Sequence, residues 1–434
     1  MAPATMDDSS DDSEVEGRPY LPPGNGGIEE EKVPFETNVP RNFLVPSRLA
    51  GKPYELIEAA NDWHYAMMND LPRNEFYRAA LRRVITPDSV VLEIGAGSGL
   101  LSIIAASLGA KCVIAIEANR HLAEVARQIV RQNGFEDRIH IINKMSTAVA
   151  PDELAHYGTP TILLSEILGT LLLGESALHY VMDARKRLVA PCVGPEAPVC
   201  TVPRRGCQFA SLIESPDIAS ITSVRSWEGI DLTWFNTLQD TTSMVFTKQY
   251  GFRFSSCKYR TLAPRQRVLD LDFATDAVGV WKGERRQRLQ CSQAGVVHAV
   301  LATWEVYDSS QTGDELTMST HPDETLSNFP RDMQWGQGLQ LIEDMATPGA
   351  APVPFVVSKG EWLVLVTRFS VDGGHFHLGR RALLHMLDTC QVDGVTMQFQ
   401  LEREKELKEE HVAPAAPVDP SAATATATSA HFAY

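Results

Sequence analysis

The chain of 434 residues has only seven cysteines, and no two of them form a C-x-x-C pair. The count is odd and no histidine cluster stands near them, so we expect reduced thiols and no structural metal site. The longest apolar run, residues 162–173, is interrupted by Glu166 and is too short to span a bilayer. The N-terminal residues are acidic, unlike a signal or transit peptide. We therefore expect a cytoplasmic or nuclear protein without a metal or a membrane anchor.

Positive charge is also scarce, since the formal net charge is −16. Residues 1–40 hold ten acids and two bases, so half of the net charge lies in this segment. An acidic protein is poorly suited to bind the phosphates of nucleic acids directly and favours basic partners. For the N-terminal segment itself, the simpler interpretation is that its acids keep the chain soluble.

Composition divides the chain into four regions. Residues 1–44 are acidic and rich in Pro and Gly, which predicts a disordered tail. The sequence patterns of residues 45–195 and 196–402 predict two folded domains, an α/β domain followed by a β domain. Residues 403–434 form a C-terminal region in which a charged helix, predicted at 401–412, leads into an Ala/Pro/Thr-rich segment of low complexity.

The first domain alternates strands with helices, which is typical of a parallel sheet. We predict strands at residues 90–94, 112–116, 139–142 and 161–164, and helices at residues 61–83, 100–108 and 121–133. Pro72 should break or kink the first helix, and Gly134 suits the end of the last one. The second domain shows short β-prone runs separated by turn residues, which predict an antiparallel fold. These runs are residues 209–213, 268–273, 295–307, 335–341 and 362–369.

A glycine-rich turn follows the first predicted strand. Gly95, Gly97 and Gly99 precede a helix, so backbone N–H groups and a helix N-terminus can face a ligand there. Glu117 ends the next strand and suits the hydroxyls of a ribose. The spacing is G-x-G-x-G, which lacks the third glycine of the dinucleotide fingerprint. With an acid at Glu93, it suits S-adenosylmethionine better, although a turn that only joins strand to helix is the simpler alternative.

Glu166 and Glu175 bracket a Leu-rich stretch downstream of this turn. Two carboxylates at the ends of an apolar loop are costly to bury unless a cation lies between them. A guanidinium is planar and donates hydrogen bonds in a fork that carboxylates accept bidentately. The pair therefore indicates a positively charged substrate of this kind, whereas either glutamate alone would usually be a solvated loop residue.

These motifs together resemble those of the protein arginine methyltransferases, over about residues 61–344. The segments that carry the resemblance are residues 91–99, 115–117 and 165–175, the last being the specific double-glutamate loop. The resemblance implies a Rossmann-like class I S-adenosylmethionine-dependent methyltransferase domain, followed by a β-barrel-like domain with an inserted dimerisation arm. The arm would be residues 215–243, and the protein would be a homodimer. Arginine-containing proteins would be the substrates, including RNA-binding proteins with Arg/Gly-rich segments.

The resemblance also assigns roles to individual residues. Glu166 and Glu175 would hold the substrate guanidinium as the catalytic pair. The residues that would bind the cofactor are Arg73, at its methionine carboxylate, and Glu93, Gly95, Gly97, Gly99, Glu117, Met145 and Ser146. The residues that would face the substrate are Met67, Gln334 and Trp335. Met67 and Trp335 could equally be core residues, and His64 is expected to be structural.

Within the family, residues 63–74 and 133–147 are most similar to the seven-type, monomethylating (type III) subclass, in a single-module, kinetoplastid-like form. Gln334 and Met333 depart from the family, most of which has His and Thr there. Ser146 stands where many members have a Glu near the adenine. Because Gln334 cannot titrate as histidine does, we expect ω-N-monomethylarginine as the main product.

Three alternatives remain. A dimethylating arginine methyltransferase would be separated by product analysis. A nucleic-acid or small-molecule methyltransferase could use the same type of domain, although the former usually shows an Asn/Asp-Pro-Pro-aromatic loop where this chain reads Ser165-Glu166-Ile167-Leu168. A non-catalytic scaffold that binds basic proteins would not need the cofactor turn, so a cofactor-binding measurement would separate it.

Overall fold

The computed structural model describes residues 34–39, 42–60, 62–190, 199–275, 283–309, 314–371 and 395–404. The chain separates into two compact units, residues 1–58 and 59–434. The helices are α1 Tyr54–Ala59, α2 Asp62–Asn69, α3 Leu71–Val84, α4 Leu100–Ser107, α5 Arg120–Gln132, α6 Pro151–Leu154, α7 Ala177–Ala184, α8 Pro216–Thr222, α9 Pro322–Thr325 and α10 Phe329–Gln334. The first strands are β1 Val90–Ile94, β2 Cys112–Ile116, β3 Ile139–Ile142, β4 Ile162–Ser165 and β5 Cys200–Val202.

The first five strands form one sheet in the order β3-β2-β1-β4-β5, and every neighbouring pair is parallel. All residues of β1, β2 and β4 are buried, as expected for strands that helices cover on both faces. The sequence predicted these strands closely. It also predicted a break at Pro72, and Asp70 indeed separates α2 from α3, where its side chain accepts a hydrogen bond from the N–H of Arg73.

The remaining strands build antiparallel sheets. They are β6 Arg205–Glu214, β7 Val245–Phe246, β8 Arg260–Thr261, β9 Gln266–Asp272, β10 Gly283–Gln290, β11 Gly295–Val297, β12 Ala299–Tyr307, β13 Thr317–Ser319, β14 Gly338–Leu341, β15 Phe355–Val357, β16 Trp362–Val371 and β17 Val395–Arg403. The largest sheet has seven strands in which β6 and β12 are central, and a second follows the order β10-β16-β17. A fold that combines a parallel sheet domain with a separate antiparallel one confirms the predicted architecture.

Three details differ from the sequence-based expectations. The predicted helix at 401–412 is wrong over Leu401–Arg403, which belongs to β17, because Met397, Phe399 and Leu401 are buried at the two-residue period of a strand. The rest of that segment lies outside the described residues. The run predicted at 335–341 begins as a strand only at Gly338, since Trp335 ends α10.

The third difference concerns the N-terminal tail, most of which lies outside the described residues. Its described end is ordered, with a 3₁₀ helix at Phe35–Asn38. The Phe35 ring stacks on Tyr54, and the Glu36 carboxylate accepts the N–H of Gly51. The predicted boundaries at 44/45 and 195/196 stay predictions, and the second lies outside the described residues. Among the described residues, no helix is long and apolar enough to cross a membrane.

Candidate active site

The carboxyl edge of the parallel sheet carries most of the residues that the sequence singled out. The last residue of β1 lies opposite the last residues of both β2 and β4. The residues that follow, Gly95, Glu117 and Glu166, therefore leave the sheet side by side. The order of strands reverses between β1 and β4, and such a switch point is where open parallel sheets bind ligands.

The glycine turn lies close to Glu117 and to the loop that begins at Glu166. Gly95, Gly97 and Gly99 have φ angles of 73°, 53° and 80°, a region that residues with a β-carbon rarely adopt. A β-carbon at Gly95 would lie 2.8 Å from Cγ2 of Ile167, the residue after Glu166, so only glycine fits against this loop. The N–H of Gly97 donates to Oε2 of Glu117 at 2.8 Å.

Glu117 is buried and held by the backbone around it. Its Oε1 accepts the N–H of Asn119 at 2.7 Å, and its carbonyl accepts Nδ2 of Asn143, at the end of β3, at 2.8 Å. His64, on α2, belongs to the same part of the site as Glu117. Burial lowers the pKa of His64, while the negative charges of Glu117 and Glu166 oppose this shift. His64 is therefore near both carboxylates, a position that the sequence did not reveal.

Arg73 and Glu166 form a buried ion pair. Nε and Nη2 of Arg73 both donate to Oε2 of Glu166, at 3.2 and 2.5 Å, and each side chain is only 4% exposed. Nη1 donates to Oδ1 of Asn74 at 2.9 Å. Burial lowers the pKa of Arg73, but the combined effects of Glu166, Tyr77 and Asp70 outweigh burial and the pKa is raised. Three of the five guanidinium N–H groups are thus used, which leaves two for a further carboxylate.

Glu93 lies buried in β1 behind the glycine turn. Its Oε2 accepts a hydrogen bond from the hydroxyl of Ser102 on α4. Burial raises the pKa of Glu93 to about 8; the hydrogen bond of Ser102 and the charge of Arg73 act against this shift, and the charge of Glu117 adds to it. Burial of Glu93 therefore favours its protonated form near neutral pH.

Two tryptophans bind the double-glutamate loop through hydrogen bonds to its backbone. The indole N–H of Trp335 donates to the carbonyl of Leu168 at 2.8 Å, and that of Trp304 donates to the carbonyl of Gly169 at 2.9 Å. The two indoles pack edge to face, and Thr170 donates to the carbonyl of Trp335 at 2.6 Å. The buried Trp335 thus positions the loop, a role the sequence did not predict for it.

Glu175 lies at the far end of this loop and is half-buried. The next residue, Ser176, has a positive φ of 59° at the start of α7. Within the loop, the N–H of Leu172 donates to Oε1 of the buried Gln208 on β6 at 2.8 Å. Glu166 and Glu175 therefore belong to one segment that both domains anchor.

Asp70 joins the start of α3 to the helix that precedes Trp335. Besides capping Arg73, its fully buried carboxylate accepts Nε and Nη2 of Arg331, at 2.8 and 3.1 Å, and Nδ2 of Asn328 at 2.8 Å. Arg331 lies on α10, which ends at Gln334. The helix that places Arg73 is thereby tied to the one that places Gln334.

Gln334 is 6% exposed, and its Oε1 has no hydrogen-bond partner among the described residues. A buried amide oxygen without a partner is costly and suits a donor that a ligand supplies. Met67 on α2 is half-buried, Ser146 after β3 is buried, and Met145 is exposed. The adenine and substrate roles given to these last three residues stay predictions.

The residues present fit S-adenosylmethionine by their chemistry. Arg73 keeps two donors for the methionine carboxylate, Glu117 has acceptor capacity left for the ribose, and the glycine turn admits a close approach. The structure brings Arg73 and Glu166 to the same edge as the glycine turn and Glu117. His64 and Asp70 lie beside them, and the roles predicted for the site residues stay predictions. His64 and Asp70 both lie within residues 63–74, which carry the resemblance to the seven-type subclass, but their contacts in the site are with residues far away in sequence.

Known methyltransferases are similar to this chain in sequence. A sequence model of the ribosomal protein L11 methyltransferase family (PrmA) matches residues 78–176. An arginine N(omega)-methyltransferase of Streptomyces achromogenes subsp. streptozoticus is 33% identical over 305 residues, which are 70% of this chain and 74% of that protein. Protein arginine N-methyltransferase 7 of Xenopus laevis is 41% identical over 165 residues, which are 36% of this chain but only 23% of that protein.

Solved structures agree on the fold. The Trypanosoma brucei PRMT1 enzyme-prozyme heterotetrameric complex with AdoHcy has a TM-score of 0.59 at 21% identity, covering 80% of this chain and 100% of that one. The PRMT6-SAH crystal structure has a TM-score of 0.55 at 20% identity, covering 78% and 99%.

The fold and the site define a class I methyltransferase, with its glycine turn and acidic residues at the carboxyl edge of a parallel sheet. Similarity along most of a relative's length assigns it more closely: the chain belongs to the arginine methyltransferase family, whose methyl donor is S-adenosylmethionine.

Proposed function

We propose that this arginine methyltransferase acts on arginine side chains of proteins and forms mainly ω-N-monomethylarginine. The observation that carries the proposal is the juxtaposition of the Arg73–Glu166 pair with the glycine turn, at one end of the anchored double-glutamate loop. A carboxylate that is held rigidly beside the cofactor turn can fix a guanidinium in one orientation. Protein substrates with Arg/Gly-rich segments, and a cytoplasmic or nuclear location, belong to the same proposal.

S-adenosylmethionine, when bound, supplies the methyl group from its sulfonium centre. Glu166 and Glu175 accept N–H bonds from the substrate guanidinium and so offset the repulsion between two cations. They also draw positive charge to the nitrogens they hold, which leaves electron density on the third nitrogen. After transfer, one of the glutamates accepts the proton or passes it to water. Positioning and fixed charge contribute most of the rate enhancement.

Arg73 couples the two ligands in this scheme. Because it already donates to Glu166, a cofactor carboxylate on its two remaining donors would fix the orientation of Glu166 before the substrate arrives. The buried carboxylate of Asp70, which caps α3 at Arg73 and holds Arg331, transmits the same constraint to Gln334. We therefore propose that the cofactor binds first.

Free arginine is a second candidate substrate. The arginine N(omega)-methyltransferase that covers 70% of this chain is named for arginine without the word protein, whereas protein arginine N-methyltransferase 7 of Xenopus laevis covers 36%. Turnover of free arginine and of an Arg/Gly-rich peptide at equal concentration separates the two. The proposal expects the larger kcat/KM for the peptide.

The product depends on Gln334. Its unpartnered Oε1 can accept one N–H of the unmodified guanidinium, and an added methyl group would remove or misplace that donor. We expect monomethylarginine as the dominant product by mass spectrometry of a peptide, with monomethylated peptide a poor substrate. Gln334→His, with Glu175→Asp to enlarge the pocket, should admit some dimethylation. Substantial dimethylarginine from the unmodified enzyme would contradict this assignment.

The raised pKa of Glu93 predicts a pH-dependent affinity for the cofactor. The pKa of Glu93 is about 8 in the folded protein, compared with 4.5 for an ordinary glutamate carboxyl. Between these two values the folded state binds more protons than the unfolded state, so this group lowers the stability of the fold as pH rises from 4.5 to about 8. A cationic ligand favours the ionised carboxylate. Affinity for S-adenosylmethionine should therefore rise up to about tenfold per pH unit below pH 8 and then level off, with proton release seen by calorimetry. A steep rise that persists in Glu93→Gln would rule out this group as its source.

Assembly is proposed to involve the segment between β6 and β7, the predicted arm. It contains α8 and the 3₁₀ helix Thr233–Leu238 and exposes a set of large apolar side chains: Ile221, Trp227, Ile230, Leu232, Trp234, Phe235 and Leu238. Such a surface is typical of an interface. An open groove between α2, α3, α4 and α5 of a second copy is a suitable acceptor, lined by Met68, Asn74, Ser98, Leu100, Ile103, Ile129 and Asn133.

Replacing Trp234 and Phe235 with serine should convert the homodimer to a monomer, because these rings would otherwise supply much of the buried apolar area. Multi-angle light scattering measures the mass directly. Leu44→Ser, an exposed apolar residue outside the arm, is the matched control. A dimer that survives both arm substitutions would show that another surface holds it together.

A further inference from the structure

The turn after β3 lies at the carboxyl edge beside Glu117, where the adenine end of the cofactor is expected. It consists of the 3₁₀ helix Ser146–Ala148 and its flanking residues. Asn143, which starts it, donates to the carbonyl of Glu117. We propose that Arg187, anchored by Asp183, is a positioning residue that fixes this turn for the adenine of bound S-adenosylmethionine. The inference rests on the proposed placement of the cofactor.

The guanidinium of Arg187 connects two elements through four hydrogen bonds. Nε and Nη2 donate to the two carboxylate oxygens of Asp183, at 3.0 and 2.7 Å. Nη2 also donates to the carbonyl of Ser146 at 2.7 Å, and Nη1 donates to the carbonyl of Val149. These two carbonyls lie at the two ends of the 3₁₀ helix, so a single planar group determines the span of its backbone.

The helix that carries Arg187 has an unusual geometry. After α7 the chain continues as a π-helical turn at Arg185–Val189, a geometry that is rare and often occurs at functional sites. The side chains of Arg187 and Asp183 are 30% and 23% exposed, so solvent screens the pair and its contribution to stability is small. A geometric role is better supported, because the fork of Arg187 matches two carbonyls and one carboxylate at once, which a lysine cannot do.

The turn has another attachment, which provides a matched control. Lys144 forms an ion pair with Glu153 at 2.6 Å, and both side chains are more exposed than those of Arg187 and Asp183. Lys144 lies on the same turn and Glu153 lies on α6, and their ion pair holds neither carbonyl. Lys144→Met therefore removes one cation from the same neighbourhood without touching the four hydrogen bonds of Arg187.

Calorimetric binding of two ligands tests the inference without any turnover. S-adenosylhomocysteine carries the adenosine and the amino acid end, whereas 5′-methylthioadenosine carries the adenosine alone. Arg187→Met should weaken both ligands by the same factor, at least about tenfold, because the defect lies at the adenine end. Asp183→Asn should weaken both less, Arg187→Lys should recover part of the loss, and Lys144→Met should bind as the unmodified protein does.

Methylation assays complete the test. With saturating S-adenosylmethionine, Arg187→Met should keep kcat within about twofold while KM for the cofactor rises, as expected for uniform binding. Unchanged affinity for both ligands, or a loss confined to S-adenosylhomocysteine, would overturn the inference. If Arg187→Met does not fold, Asp183→Asn decides by the same criteria, with thermal melts as the check on folding. Absence of binding by the unmodified protein would instead refute the proposed cofactor site.

Discussion

Glu166→Gln and Glu175→Gln are each expected to lower kcat by at least about a hundredfold, the size of effect seen when one group that stabilises a transition state is removed. Glutamine keeps the shape of the side chain but loses the charge that offsets the substrate cation. Affinity for S-adenosylmethionine should stay within a few-fold in both variants, because the glycine turn and Glu117 are unchanged. Methyl transfer to a peptide and calorimetry on the same preparations measure the two quantities.

The two variants should differ in stability. Glu166 neutralises the buried guanidinium of Arg73, so its loss should lower the melting temperature. Glu175 is only half-buried and should affect stability less. Glu124→Gln, on the exposed face of α5, is the control for a generic loss of one carboxylate. Near-normal turnover in either active-site variant would show that the pair has only a structural role.

Arg73→Met is expected to have the second large effect, on cofactor binding and folding together. It removes the donors proposed for the methionine carboxylate and leaves Glu166 buried without its cation. Loss of one partner from a buried pair costs about 3–5 kcal/mol, and affinity for S-adenosylhomocysteine should fall by about a hundredfold. 5′-Methylthioadenosine, which lacks the carboxylate, should bind nearly as tightly as before to the fraction that folds.

A double variant separates stability from binding. Arg73→Met combined with Glu166→Gln removes both charges, so the melting temperature should recover relative to Arg73→Met while cofactor affinity and turnover do not. Arg78→Met, which removes an exposed ion pair on the same helix, should change neither property. If Arg73→Met weakened S-adenosylhomocysteine and 5′-methylthioadenosine by the same factor, Arg73 would not be the residue that binds the methionine carboxylate.

Much of the sheet and the glycine turn could be predicted from the sequence, because these features are local. Val90–Ile94 is a continuous apolar run, and the glycines after it are required where the backbone adopts positive φ. The position of Glu166 beside the glycine turn followed from neither composition nor spacing. It depends on the register of β1 with β4, which only the folded sheet determines.

The polar contacts across the site could not be predicted because their partners are far apart in sequence. Arg73 and Glu166 are separated by 93 residues, and Asp70 and Arg331 by 261. Arg331 had no role in the sequence-based interpretation, although it precedes Gln334 by less than one helical turn. His64 was expected to be structural, and only the folded chain shows that it lies near Glu117 and Glu166.

The C-terminal strand shows how a charged composition can mislead. The residues from Leu401 onward are rich in Glu, Lys and Arg, which favours a helix by propensity. Tertiary pairing of β17 with β16 overrides this preference, since Leu401 fits the buried face while Arg403 donates to Asp344 and Glu361 at the edge.

Transfer of an isotopically labelled methyl group from S-adenosylmethionine to an Arg/Gly-rich peptide tests the central claim most directly. The claim is that the Glu166–Glu175 loop holds an arginine guanidinium beside the cofactor turn. Tandem mass spectrometry should place one label on a terminal guanidinium nitrogen with the unmodified protein, and almost none with the Glu166→Gln/Glu175→Gln double variant. Label on another residue type, no label on arginine in peptide or free form, or equal labelling by the double variant would contradict the claim.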